Sequence, residues 1–293
     1  MAVVITGGSG FVGQHLTRAL QARGELVQAW SRGDDAAHKF AGADVVVHLA
    51  ARVHVMAEAS ADPLREFRQA NVITTEWLAR TAAAAGVRRF VFMSSVKVNG
   101  EESQPGCAFT ERDLPQPQDP YGVSKYEAEM ALHRVAQETG MSVVIIRAPL
   151  VYGPGVRANF AQLMHAVRRG WPLPLGYVNN LRSLVGVDNL VDFVMLCMQH
   201  PAAVNETFLV SDGHDVSTVQ LIQGMATAAG VPARVWPIPL WVLQAVARCL
   251  GKGAALQRLC GDLQVDIAKA RTLLNWQPPF SVQEGLQRAM AQG

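Results

Sequence analysis

The stretch Met1-Ala2-Val3-Val4-Ile5-Thr6-Gly7-Gly8-Ser9-Gly10-Phe11-Val12-Gly13 decides the fold. Residues 2–6 are a short apolar, β-rich run, the pattern of a strand buried on both faces. Glycines then fall at 7, 10 and 13, and a helical pattern follows over 11–23. A glycine series between a strand and a helix has a mechanical sense. One glycine permits the tight turn, another lets backbone approach a pyrophosphate, and the last allows close helix–strand packing. The phosphates then face the free N–H groups and positive dipole end of the helix. The stretch predicts a dinucleotide-binding unit with Gly7, Gly10, Phe11 and Val12 at the cofactor.

Working outward, apolar β-rich runs recur at 26–30, 44–49, 88–94 and 142–147, and helical patterns at 63–85, 121–139 and 158–169. This alternation predicts an α/β fold, a doubly wound parallel sheet of Rossmann type. Only twelve residues, Arg32 to Ala43, separate the second strand from Asp44. That is one crossover of minimum length, so no edge strand is expected beyond strand two. After about residue 150 Pro and Gly cluster, at Tyr152-Gly153-Pro154-Gly155 and at Trp171-Pro172-Leu173-Pro174-Leu175-Gly176. Helical patterns then dominate near 188–199, 217–229, 239–250 and 281–291, and the run Glu206 to Val210 is a candidate to rejoin the sheet. We assign 1–155 plus about 185–212 to a dinucleotide-binding domain. A smaller, mainly helical substrate domain takes 156–184 plus 213–293.

Composition narrows the function classes. With 49% hydrophobic and 17% charged residues, the 293-residue chain is not a disordered one. Its 26 basic and 24 acidic residues leave no surplus that argues for nucleic acid or an anionic membrane. No apolar run reaches the ~18 residues of a membrane span. The first residues lack the basic leader and long apolar core of a signal peptide, so a cytoplasmic protein is expected. Cys107, Cys197, Cys249 and Cys260 are scattered without zinc-ligand spacing, which predicts reduced thiols and no metal.

The tip of the second strand bears on the cofactor. NAD enzymes place a carboxylate about 20 residues beyond the loop to bind the ribose 2′-hydroxyl. Here the strand ends in Ser31-Arg32, a hydroxyl and a guanidinium suited to a 2′-phosphate. NADP(H) is favoured, and Asp34 and Asp35 keep NAD(H) open.

Tyr121-Gly122-Val123-Ser124-Lys125 puts a phenol and an amine four apart, on one face of a helix. A neighbouring ammonium is expected to lower the phenol's pKa from its ordinary value near 10 and tune it as proton donor and acceptor. A strand ends at Met93-Ser94-Ser95, on the sheet edge where parallel sheets carry their ligands. The Ser95 hydroxyl could bond the oxygen that Tyr121 protonates.

With these residues in place the chain resembles the extended short-chain dehydrogenase/reductases, in the nucleotide-sugar epimerase/dehydratase family. The resemblance covers essentially the whole chain. It is carried by the loop at 6–13, His48-Leu49-Ala50-Ala51, Asn71, Ser94-Ser95, Tyr121-x-x-x-Lys125, Arg147-x-Pro149-x-Val151-Tyr152-Gly153-Pro154-Gly155 and Asn275-Trp276-Gln277-Pro278. It implies Ser95, Tyr121 and Lys125 as the catalytic triad, Lys125 also holding the nicotinamide ribose, and Ala50, Ala51 and Arg52 lining the cofactor. Asn71 would sit on the helix beside the site.

Family dehydratases carry an Asp-Glu pair just after the Ser-Ser strand; Val96-Lys97 stands here, so dehydration is not expected. The phrase Val96-Lys97-Val98-Asn99-Gly100-Glu101 resembles the reductases of UDP-4-keto-hexosamines, which make UDP-N-acetyl-quinovosamine-type products and are often labelled UDP-glucose 4-epimerase-like. Lys97 would then lie at the substrate. Asn159, in Arg157-Ala158-Asn159-Phe160, and Leu175 match segments that hold the nucleotide, and Arg182 resembles the family arginine on the diphosphate. The expected reaction is reduction at C4 of a UDP-4-keto sugar. A UDP-sugar 4-epimerase retaining NAD is the second reading. A non-catalytic cofactor-sensing protein on the same scaffold is the third, and the intact Ser-Tyr-Lys set argues against it. The expected partner is a UDP-sugar, with a homodimer left open.

Overall fold

A computed structural model describes residues 1–53, 62–249, 251 and 253–291. Strands β1 (Ala2–Thr6), β2 (Leu26–Trp30), β3 (Val45–His48), β4 (Arg89–Ser95) and β5 (Ser142–Ala148) alternate with helices α1 (Phe11–Ala22), α2 (Ala36–Phe40), α3 (Pro63–Phe67), α4 (Thr74–Ala84) and α5 (Pro120–Thr139). A π-helical turn, Arg68–Ile73, joins α3 to α4. Beyond them come β6 (Leu150–Tyr152), α6 (Ala158–Arg168), β7 (Leu184–Gly186), α7 (Val187–Gln199), β8 (Thr207–Leu209) and α8 (Thr218–Ala229). The chain ends in α9 (Leu240–Cys249), α10 (Gly253–Cys260), α11 (Ala268–Leu274) and α12 (Val282–Ala291). The helical pattern expected over 239–250 thus reaches Cys249; residue 250 lies outside the described residues.

The main sheet has the order β2-β1-β3-β4-β5-β8, and every pairing in it is parallel. The expected doubly wound sheet is present, and β8 brings 207–209 back to it. The short crossover 32–43 holds only α2, capped by Asp35, so β2 is the sheet edge as its length required. The period-2 alternation of strands sorts side chains to two faces. Val3, Ile5, Val45, Val47, Val91, Val144 and Ile146 pack with α1 and α7. Val4, Val46, Phe90, Phe92, Val143 and Ile145 pack with α4 and α5. A third core, with Tyr152, Phe160, Met164, Leu221, Met225 and Leu286, fills the space between α6, α8 and α12. Among the described residues no helix is long and apolar enough to cross a membrane.

The 63–85 pattern is interrupted, because the π turn inserts an extra residue that a 3.6 period does not reveal. The parallel pair β6–β7 and the short helices α10 and α11 were likewise outside the expected pattern.

His48 closes β3 beneath the site. It is buried, stacked on Phe92, and held by Thr6 Oγ1 at 2.5 Å and Thr75 Oγ1 at 2.8 Å. Burial pulls its pKa down to about 3 from 6.5, with Lys125 adding to the shift. The unfolded chain therefore binds the proton that the folded one refuses. The stability tied to a neutral His48 is complete above pH 6.5 and is lost as pH falls toward 3. Urea unfolding across that window should show a loss of up to about 5 kcal/mol assignable to this ring. His48→Gln should flatten that part of the profile, and an unchanged slope would remove His48 as its source.

Candidate active site

The glycine loop is built for close approach. Gly7 has φ +73°, and a Cβ there would lie 2.7 Å from Ala50 N. A Cβ on Gly13 would come within 2.2 Å of Gly7 O. Gly10 N donates to Gly7 O at 2.9 Å, tightening the turn. Gly10 is the N-cap of α1 and no side chain caps the helix, so its first turn presents backbone N–H groups toward the loop. Phe11 and Val12 open that helix. These features fit a dinucleotide pyrophosphate.

At the tip of β2, Ser31 and Arg32 are exposed. Ser31 N donates to Asp34 Oδ2 at 2.9 Å, which turns that carboxylate back toward the tip. Arg32 has no ion-pair partner among the described residues. The tip therefore offers both an anion-binding guanidinium and a carboxylate. Past β3, Ala50 N donates to Thr6 Oγ1 at 3.3 Å. Arg52 is pinned by Asn71, whose Oδ1 accepts from Arg52 N at 2.8 Å and whose Nδ2 donates to Arg52 O at 3.0 Å. Asn71 sits in the π turn, is 1% exposed, and donates also to Ser124 Oγ at 3.0 Å. One side chain thus ties the cofactor-side loop to the helix that carries Tyr121.

Ser95 ends β4 and Tyr121 begins α5. The Ser95 hydroxyl lies near enough to the Tyr121 phenol to act on its titration, and Ser95 Oγ accepts from Lys97 N at 3.2 Å. Burial, with the nearby Asp119, pushes the Tyr121 phenol up to about 12, and only the Ser95 hydroxyl opposes this. Lys125 lies one turn on, 2% exposed. Its Nζ donates to Met93 O at 2.7 Å and sits 4.4 Å over the Phe92 ring and 6.0 Å from the Tyr121 ring. Burial pulls the amine down to about 7, with Glu129 opposing. This corrects the expectation that Lys125 lowers the Tyr121 pKa: the amine spends its bond on the Met93 carbonyl, and desolvation governs the phenol.

Beneath them is a buried ion pair that the sequence reading missed. Arg147 Nη2 lies 2.7 Å from Glu129 Oε2, and Arg147 Nε donates to Glu129 Oε1 at 3.1 Å. Ser94 Oγ donates to the same Oε1 at 2.5 Å, and Arg147 Nη1 donates to Asn99 Oδ1 at 3.1 Å. One signal was available: Glu129 is four residues beyond Lys125, on the same helix face.

The residues expected at the substrate are dispersed. Lys97 Nζ pairs with Glu101 at 3.1 Å and with Asp119, whose other oxygen accepts from Gly122 N at 2.6 Å as the cap of α5. Lys97 therefore steadies the start of the catalytic helix. Asn159 is exposed in the first turn of α6, and Leu175 is buried in the third core. Arg182 Nη1 donates to Gly261 O at 2.8 Å, and its backbone bridges Val216 and Leu263. Ser95, Tyr121, Lys125 and Asn71 are thus brought together, while Asn159, Leu175 and Arg182 stand on separate elements of the C-terminal half.

Comparison with known proteins accords with this arrangement. Residues 3–211 match the NAD dependent epimerase/dehydratase family. A UDP-glucose 4-epimerase of Vibrio cholerae is 42% identical, over 98% of this chain and 94% of its own length. A UDP-glucuronic acid 4-epimerase from Bacillus cereus, solved with NAD, shares the fold with TM-score 0.81 at 22% identity, covering 100% and 98% of the two chains. RMD from Pseudomonas aeruginosa, solved with NADPH, does so with TM-score 0.79 at 22% identity, over 100% and 99%. The chain belongs to the NAD dependent epimerase/dehydratase family, enzymes of the extended short-chain dehydrogenase/reductase type.

Proposed function

We propose that the protein moves hydride between a nicotinamide and C4 of a UDP-sugar. The observation that carries this reading is the meeting of Ser95 and Tyr121 at the sheet edge, with Lys125 buried one helical turn away and bonded to Met93 O. The bound nicotinamide supplies or accepts the hydride. The chain's own residues manage the proton and the geometry. Tyr121, held near 12 by burial, carries its proton at neutral pH and is set to give it to the C4 oxygen. Ser95 orients that oxygen, and its own geometry is fixed by the Lys97 N–H. Lys125 anchors α5 to β4 through Met93 O and would hold the nicotinamide ribose. Gly7, Gly10, Phe11 and Val12 would hold the pyrophosphate, Ala50, Ala51 and Arg52 the cofactor's inner side, and Ser31 and Arg32 the adenosine ribose. Arg182 would meet the substrate diphosphate. Dehydration has no carboxylate pair after β4, since Val96 is buried and Lys97 is ion-paired.

Two reactions use the C4 step. Epimerisation, which oxidises and re-reduces the same carbon, is supported by the full-length relative at 42% identity. Net reduction of a 4-keto sugar is supported by the protonated Tyr121 and by the β2 edge, where unpartnered Arg32 suits an exchangeable NADPH. Purified protein separates them. A reductase consumes one NADPH per ketone reduced, whereas an epimerase interconverts UDP-sugars with no added cofactor. In either case Tyr121→Phe should lower turnover by at least ~100-fold with the fold intact. Near-normal turnover in that variant would sink the proposed chemistry.

Lys125 gives a second outcome. Its folded pKa near 7 lies below its ordinary 10.5, so its contribution to stability is favourable only above 10.5 and is lost as pH falls toward 7. At pH 7 the buried amine is a burden on the fold. Lys125→Met should therefore raise the unfolding free energy at pH 7 by about 1–3 kcal/mol while turnover collapses. A variant less stable than the parent at that pH would show that Lys125 is there for structure.

A further inference from the structure

The whole-chain charge of +2 conceals a division. Residues 156–184 and 213–293 together hold 11 basic and 4 acidic residues, a net of +7, while the remaining residues hold 15 and 20, a net of −5. No acidic residue occurs between Asp215 and Asp262. Arg182 can spend its charge on a substrate diphosphate, but Arg169, Arg234 and Arg248 are exposed and have no ion-pair partner among the described residues.

Those arginines are interleaved with exposed aromatic side chains. Trp171, Tyr177, Trp236 and Trp241 are 53%, 62%, 57% and 71% exposed. The two segments that carry them are joined by backbone bonds of 2.8 Å, from Leu173 N to Arg234 O, from Trp236 N to Leu173 O and from Gly176 N to Trp236 O. The Arg169 guanidinium lies 5.9 Å from the Trp171 ring, and the Arg234 guanidinium comes within 3.9 Å of where a Cβ would stand on Gly170. Trp236 leads directly into α9. Among its described residues this helix buries only Ala247, and it leaves Leu240, Trp241 and Val246 exposed beside Arg248.

The chemistry of the occupant follows from this mixture. Trp and Tyr favour the boundary between hydrocarbon and water, where the ring is buried and the N–H or O–H stays wet. A helix with an apolar face and basic neighbours lies in the plane of that boundary. Each arginine adds attraction to anionic headgroups. A second copy of the chain fits poorly, because a self-complementary contact would set Arg169, Arg234 and Arg248 against their own copies, with Glu102 as the acidic residue beside them, in the groove it lines with Leu240 and Arg248. We propose that the surface formed by residues 169–177 and 234–248, led by Trp236 and Trp241, docks the protein reversibly on an anionic membrane.

The test is co-sedimentation of the full chain with vesicles. Phosphatidylcholine vesicles containing phosphatidylglycerol should carry the protein down, and added salt should release it. Pure phosphatidylcholine should carry little. Trp241→Glu should weaken partitioning by at least about tenfold. Arg248→Glu should weaken it by about fivefold or more. Circular dichroism confirms that both variants are folded, and neither residue belongs to the proposed catalytic machinery, so the result is independent of the UDP-sugar reading. The proposal is overturned if the parent chain ignores anionic vesicles, if both variants bind as the parent does, or if sedimentation shows a dimer that Trp241→Glu disperses.

Discussion

Glu129 and Arg147 meet in the interior, and the catalytic edge hangs on their contact. Glu129 belongs to α5, the helix of Tyr121 and Lys125. Arg147 belongs to β5, and Ser94, from β4, donates to the same carboxylate. One acidic side chain therefore clamps the catalytic helix to two neighbouring strands. Burying two charges is costly unless their remaining polar atoms are satisfied, and removing one partner from such a pair costs about 3–5 kcal/mol. Here Glu129 accepts three bonds and Arg147 spends its third on Asn99. With that clamp in place, β4 delivers Ser95 to the first turn of α5, where Tyr121 waits.

Around the clamp the site runs against the interest of the fold. Lys125 is buried and Tyr121 partly so, and in each case desolvation moves the pKa away from the charged form. His48 is sealed in as a neutral ring below them. The two cores on either side of the sheet offset these costs, and they do so with side chains from every strand of its centre. The N-terminus of α5 is secured separately, through Asp119 as cap and Lys97 as its counter-ion. Helix position, not a free ammonium beside the phenol, is what the surrounding charges establish.

Much of this was legible in the residues. The strand–helix alternation, the glycine spacing and the twelve-residue crossover predicted the sheet and its edge, because each is a local property of the chain. Tyr121 and Lys125 were legible from a four-residue spacing, and Ser95 from the end of a strand. What escaped depended on distance in sequence. The partner of Lys97 lies 22 residues away, that of Glu129 18 residues away, and the burial of Leu175 depends on α8 and α12. The π turn escaped for a different reason. It shifts the periodicity by one residue, too little to see, yet it lets Asn71 reach both Arg52 and Ser124. The charge division was hidden by a sum taken over the whole chain.

The clamp itself is open to direct measurement. A double-mutant cycle on Glu129→Gln and Arg147→Met, read by urea unfolding, isolates the energy with which the two residues act together. Each single variant should lose about 3–5 kcal/mol, since it leaves a buried charge unpaired, and the double variant should recover much of that loss. The account predicts a coupling energy of at least about 2 kcal/mol. Additive losses, with no coupling, would contradict it, for then α5 would be held to the sheet by apolar packing alone.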